Sequence, residues 1–238
     1  MSPSPSPASE PLPASSPAGL SGLAGRALNG FGTSIGVGAA LGAAAWVSDQ
    51  LTWPYGLLIP ANAIGVWLAV AFALGASART LPTGALRGLI GLLSAVAAYY
   101  LLIAVLGDGF RAIGASHAAT VWGTVALIAG PVLGAAGAVW RYGQGWPRAI
   151  GVAILAAALI GEGVVFGADR LLRFDQLTTD PGAILLAVEV VIAAVLPWVL
   201  LRPGERLRGY TATVVLAVVA VVALGPVTTI IREWADRF

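Results

Sequence analysis

Seven apolar runs separated by short polar connections take up nearly all of the chain beyond its first 25 residues, falling at 31–50, 59–78, 84–106, 118–140, 149–168, 182–201 and 211–231. Each is close to the roughly 20 residues that cross a bilayer core as an α-helix. None keeps the broad polar face that a helix on a soluble core needs. The pattern predicts an all-α fold, a polytopic transmembrane helix bundle of seven spans. The connections hold no inserted soluble domain, and consecutive helices are expected to pack as antiparallel neighbours. The first run, GTSIGVGAALGAAAWV, is dominated by Gly and Ala; it is too weakly apolar to stand alone in lipid and is expected to pack centrally.

Ahead of the spans, MSPSPSPASEPLPASSPAGL is Pro-, Ser- and Ala-rich and nearly uncharged. It has nothing to bury and reads as a disordered tail over residues 1–25, with residues 26–238 as the membrane domain. It lacks the basic and apolar regions of a signal peptide.

Orientation follows from arginine placement, because basic flanks are retained on the cytoplasmic side. The amino terminus and the even-numbered connections carry Arg26, Arg79, Arg87, Arg141, Arg148, Arg202, Arg206 and Arg208; the opposite side carries Arg111, Arg170, Arg173, Arg232 and Arg237. The bias predicts an amino terminus inside and a carboxyl terminus outside, in the plasma membrane of a bacterium.

Composition supports this and removes much chemistry. Mean hydropathy is +0.88, with 58% hydrophobic and 10% charged residues, where a soluble domain carries about 25% charged. The absence of Cys excludes disulfides and thiolate metal sites. His117 is the single histidine, so no HExxH zinc helix exists. All thirteen basic residues are Arg, which removes the P-loop lysine and any Schiff-base pigment. Ser116 and His117 adjoin in an outer connection, but no GxSxG elbow accompanies them. No enzyme activity, cofactor or metal is expected. The net charge of +2 is spread over short loops, so no nucleic-acid partner is expected either. The bilayer is the principal partner, with a protein partner or a second copy of the chain left open.

Small residues recur four apart at Gly32/Gly36, Gly38/Gly42, Gly84/Gly88, Gly130/Gly134 and Gly163/Gly167. Such ridges let helix backbones approach closely in lipid, where hydrophobic drive between helices is weak. They describe the interior of one compact bundle. Pro131, Pro197 and Pro226 fall inside spans and free the carbonyls of Leu127, Ala193 and Val222.

Two carboxylates lie within spans, Glu162 and Glu189. An ionisable group near the bilayer centre costs about 2.5–3.5 kcal/mol on insertion scales, so such residues face the bundle interior or a wet cavity. Counting from Asp169 and Pro181 at about 1.5 Å per residue puts both about 10–12 Å below the outer interface. Tyr99, Tyr100, Asn62 and Trp67 fall at a similar level, while Glu162, Phe166, Asp169 and Arg173 share one helical face. The inner halves of the spans carry no comparable set. One reading is an outward-facing polar cavity with Glu162 and Glu189 as a substrate- or proton-binding pair and Tyr99, Tyr100 and Asn62 as its hydrogen-bonding wall. Two close carboxyls in low dielectric resist ionising together, which suits proton coupling or cation recognition. The other reading is that each glutamate is hydrogen-bonded locally and pins helix register.

The stretch Ser48-Asp49-Gln50, Trp53-Pro54, Ala61-Asn62, Trp67, Arg79, Gly84-Ala85, Gly88 and Tyr99-Tyr100 resembles an uncharacterised family of small multi-span membrane proteins from GC-rich bacteria, a domain of unknown function. The resemblance covers about the first half of the chain. It implies topology and carries over no active site. Two functions stand side by side at this stage: a small-solute or proton-linked transporter, and a non-catalytic scaffold or partner subunit.

Overall fold

The computed structural model describes the backbone of residues 18–50, 63–107, 109–171 and 181–235. It is all-α, and the described residues form seven α-helices: α1 (Ala18–Gln50), α2 (Ile64–Ala76), α3 (Leu81–Leu106), α4 (Gly109–Tyr142), α5 (Trp146–Leu171), α6 (Pro181–Leu200) and α7 (Arg206–Ala235). A single 3₁₀ turn, Pro203–Glu205, precedes α7. Among the described residues, three stretches are long and apolar enough to cross a membrane, Asn29–Gln50, Leu81–Leu106 and Ala118–Tyr142, which marks a multi-pass membrane protein. The tail residues 1–17 lie outside the described residues; α1 begins at Ala18, within the stretch that composition assigns to the tail.

α2 departs most from the hydropathy pattern. The apolar run begins at residue 59, but the helix starts at Ile64, after an extended Ala63 (φ −70°, ψ 125°). Pro60 and Asn62 interrupt the apolar run in the sequence, and residues 51–62 lie outside the described residues. Thirteen residues remain, about 20 Å of helix against a hydrocarbon core of about 30 Å. This short helix is nonetheless the centre of the bundle, packed on α3, α4 and α5. By contrast α1, expected to be central, lies along α3 and scarcely touches α2 among the described residues. Its Gly/Ala composition serves one close seam and not an all-round burial.

The rule that consecutive helices are neighbours also yields here. α1 packs chiefly on α3, and α7 on α5, while contacts of α1 with α2 and of α6 with α7 are few. Register shows that α1 and α3 run parallel, since Gly38 meets Gly91 and Gly42 meets Ala95. α3 and α4 run antiparallel, with Gly84 against Gly134 and Ala138, and Gly88 against Gly130. At each of these glycines an added Cβ would overlap a facing backbone or side-chain atom, so the absence of a side chain sets the interhelical distance. Gly32 and Gly36 have nothing within 4 Å; that pair faces outward and is not part of the interior.

Core side chains fill the space around α2: Leu68, Ala71 and Phe72 meet Leu92, Val96, Leu133 and Leu155. Trp140 tilts against Phe72 with centroids 5.5 Å apart and donates its indole N–H to the Leu200 carbonyl at 3.1 Å. α4 and α6 continue through Pro131 and Pro197. Beside the carbonyl freed by Pro197, the Tyr210 hydroxyl donates to the Ala194 carbonyl at 3.0 Å, tying α7 to α6 where they otherwise barely meet.

Arginines dominate the opposite end. The α4–α5 turn passes through Gly145 at φ +60°, and its N–H donates to Glu205 Oε1 at 2.9 Å. Arg148 lies 3.9 Å from the same carboxylate. Arg206 stacks 3.8 Å over the Trp198 ring, and Arg208 sits 5.7 Å from that of Trp146. The basic cluster of the α6–α7 connection is therefore engaged with indole rings and Glu205.

Candidate functional site: two glutamates at a helix amino terminus

A helix leaves its first amides without intrahelical acceptors, and its amino-terminal end carries partial positive charge. α2 has no cap of its own, because Ala63 offers no side-chain acceptor. The acceptors come from two other helices. Glu162 of α5 presents its carboxyl to the N–H groups of Ile64 and Gly65, and Glu189 of α6 presents its own to the N–H of Gly65. The two carboxyls are close enough to interact electrostatically.

The arrangement depends on Gly65, over which the Glu189 carboxyl lies. Glu189 is 5% exposed. One amide cannot fully serve two acids, and Glu162 Oε2 and Glu189 Oε1 are buried without a hydrogen-bond partner among the described residues. Buried acceptors in this state are costly, about 1–3 kcal/mol each, and in native proteins they call for a proton, a water or a ligand to complete them.

Tyr99 and Tyr100 belong to a neighbouring feature. Near the carboxyl-terminal end of α3, their rings meet edge to face at 4.9 Å. The Tyr99 hydroxyl donates to Asp49 Oδ2 at 2.5 Å, which joins the end of α1 to α3. Both tyrosines line a cavity of about 210 Å³ between α2, α3 and α4, together with Ile64, Trp67, Leu92, Val96 and Trp122. The glutamates do not line this cavity. Ile64 links the two features: its side chain lines the cavity, and its amide faces Glu162. The structure thus places the glutamates together and the tyrosines together, on the two sides of the first turn of α2.

Asn62 lies outside the described residues, as do Arg173 and the side chains of Phe166, Asp169 and His117. The convergence on Ile64 and Gly65 is not visible in a sequence reading, because acceptors brought by α5 and α6 leave no local capping signal at residue 63. No group of three or more metal-ligating side chains occurs among the described residues.

The chain matches the model of a family of unknown function (DUF6518) over residues 23–231, and it belongs to that family. No curated protein and no solved structure matches it.

Proposed function

We propose that this chain is a seven-span plasma-membrane protein, amino terminus inside and carboxyl terminus outside, that works as a small-solute or proton-linked transporter through the Glu162–Glu189 pair. The observation that carries this reading is the convergence of two carboxyls from α5 and α6 on the amino terminus of α2, with one oxygen of each buried and unpartnered. Short helices that end inside the bundle are where transporters build ion and substrate sites, because free helix termini supply charge complementarity there. In this arrangement a proton or a small cation completes the acceptors, and its release weakens the junction between α2 and the α5–α6 pair. The role is non-enzymatic and requires no cofactor.

A second reading, a non-catalytic scaffold or partner subunit, is favoured by the close-packed apolar seam of α5, where Ala149, Val152, Ala153, Ala156 and Ala157 are buried. Proteoliposomes loaded with a pH-sensitive dye separate the two. Under an imposed Na⁺ or K⁺ gradient the native protein is expected to move protons, and E162Q and E189Q to abolish that movement while keeping the native melting temperature. Equal signals from native protein, both variants and empty liposomes would defeat the transport reading and leave the scaffold.

A further inference from the structure

The arginines of the α6–α7 connection are held in a way that leaves their hydrogen-bonding edges unspent. Among the described residues Glu205 is the one carboxylate at this end. Its oxygens already take the amides of Gly145 and Arg202 and face Arg148 at 3.9 Å. Arg202, Arg206 and Arg208 have no acidic side-chain partner among the described residues. Arg206 lies with its guanidinium 3.8 Å over the Trp198 ring. Stacking occupies the face of a guanidinium, while its N–H groups point outward in the plane of the group. The Nε of Arg206 is buried without a hydrogen-bond partner among the described residues.

Position restricts what can meet these donors. The apolar helix α6 ends at Leu200, and Arg202 and Arg206 follow it directly. Cationic and indole side chains just past an apolar helix stand where hydrocarbon gives way to headgroups. Trp198 is 59% and Leu207 78% exposed, so the indole that carries Arg206 and the leucine beside it face the surroundings of the bundle. Toward the middle of the bundle α6 and α7 touch little and are joined by Tyr210 and the Ala194 carbonyl. Val195 and Val199 of α6 and Val214 of α7, all exposed, adjoin that junction. Cationic donors, an aromatic platform and an apolar strip follow in that order, which is the order of phosphate, glycerol and acyl chain in a phospholipid. Clustered arginines beside an apolar helix are drawn to anionic lipid, and their planar donors pair with phosphate oxygens.

We propose that Arg202 and Arg206, with Trp198 as platform, bind the phosphate of an anionic phospholipid in the leaflet that this end of the bundle meets. Arg206, fixed over the indole, offers paired donors to the phosphate oxygens, and the exposed Arg202 supplies the second charge. The site stands on its own residues and does not rest on the glutamate pair at α2.

The test uses the full chain in uncharged detergent, offered phosphatidylglycerol and phosphatidylcholine with identical acyl chains, with native mass spectrometry counting the lipid retained. Phosphatidylglycerol is expected to bind about tenfold more tightly, the scale of one to two arginines at a lipid surface. The double variant R202Q/R206Q is expected to bring the two lipids to equal affinity. R79Q/R141Q, which removes two exposed arginines from the same end, is expected to leave the preference in place. Should R202Q/R206Q fail to fold, R206K decides: it keeps the charge without the paired donors, and is expected to reduce the preference about threefold at an unchanged melting temperature. E162Q and E189Q are expected to keep the preference whatever they do to proton movement. Equal retention of the two lipids by the native protein, an R202Q/R206Q or R206K protein with the full preference, or an equal loss in R79Q/R141Q would each overturn the proposal. Displacement of the lipid by inorganic phosphate would make this a site for the free anion and would overturn the lipid assignment.

Discussion

Glu189 and Gly65 are in direct contact: a Cβ on Gly65 would stand 2.8 Å from Glu189 Oε1 and 2.6 Å from Leu159 Cδ2. The second turn-forming residue of α2 is therefore also the floor on which the α6 carboxyl lies. Glycine here is a requirement of close approach, since α2 keeps ordinary helical geometry through this position.

Gly65→Ala is expected to displace Glu189 and Leu159 and to lower stability by about 1–3 kcal/mol, the usual range for overpacking. Gly36→Ala is the matched control, because nothing lies within 4 Å of it. It should be neutral, or stabilising by up to about 1 kcal/mol from helix propensity alone. Thermal unfolding in detergent compares the two directly; equal melting temperatures would contradict the contact.

Gly134→Ala is expected to be more harmful than Gly65→Ala. Its Cβ would overlap the Gly84 carbonyl and press on Gly88 Cα, which are backbone atoms and cannot swing aside as a carboxyl can. The two helices must separate along the Gly84/Gly88–Gly130/Gly134 seam, and the close contacts that hold membrane helices are lost with it. Melting temperature in detergent reads the separation.

Much of this architecture is legible in the sequence: each of the seven apolar runs coincides with a helix, and three of the described helices are long and apolar enough to cross a membrane. The run at 84–106 lies inside Leu81–Leu106, whose start is fixed by Thr80, its side chain accepting the Thr83 N–H at 3.4 Å. Rotation about each helix axis is not legible. The same four-residue spacing that places Gly84 and Gly88 against α4 leaves Gly32 and Gly36 facing outward, and only packing decides between them. Glu162 and Glu189 stand out because charge is rare in a span. Their meeting at Ile64 and Gly65 depends on where α2 begins, and Pro60 is the one local signal for that. The separation of Tyr99 and Tyr100 into an adjoining cavity rests on how α3 is rotated against α2 and α4, which loop length does not dictate.

The pair at α2 yields a prediction about coupling. If Glu162 and Glu189 share the Gly65 amide, the stability effects of E162Q and E189Q are expected to be non-additive by about 0.5–3 kcal/mol, the range for residues in one polar network. Either single substitution leaves the remaining carboxyl in sole possession of the Gly65 donor and is expected to keep the native melting temperature, so the loss is expected in the double variant. A double-mutant cycle on thermal or denaturant unfolding in detergent measures this, and strict additivity would place the two carboxyls in separate environments.

At the opposite end, Glu205 ties its own turn to the α4–α5 turn and to α5. It accepts the Gly145 N–H from the α4–α5 turn and the Arg202 N–H ahead of its own turn, and it faces Arg148 of α5 at 3.9 Å. Glu205→Ala leaves the Gly145 amide without its acceptor and is expected to destabilise by about 1–3 kcal/mol. Arg148→Ala is expected to do much less, since the ion pair is long and partly exposed, and such pairs contribute about 0–1 kcal/mol. Gly145→Ala tests the same junction through the backbone, because an L-residue at φ +60° costs about 1–2 kcal/mol. The expected order of melting temperatures is native and Arg148→Ala highest, with Glu205→Ala and Gly145→Ala clearly below. An Arg148→Ala protein as unstable as Glu205→Ala would mean that the ion pair, and not the bond to Gly145, fastens α7 to the α4–α5 turn.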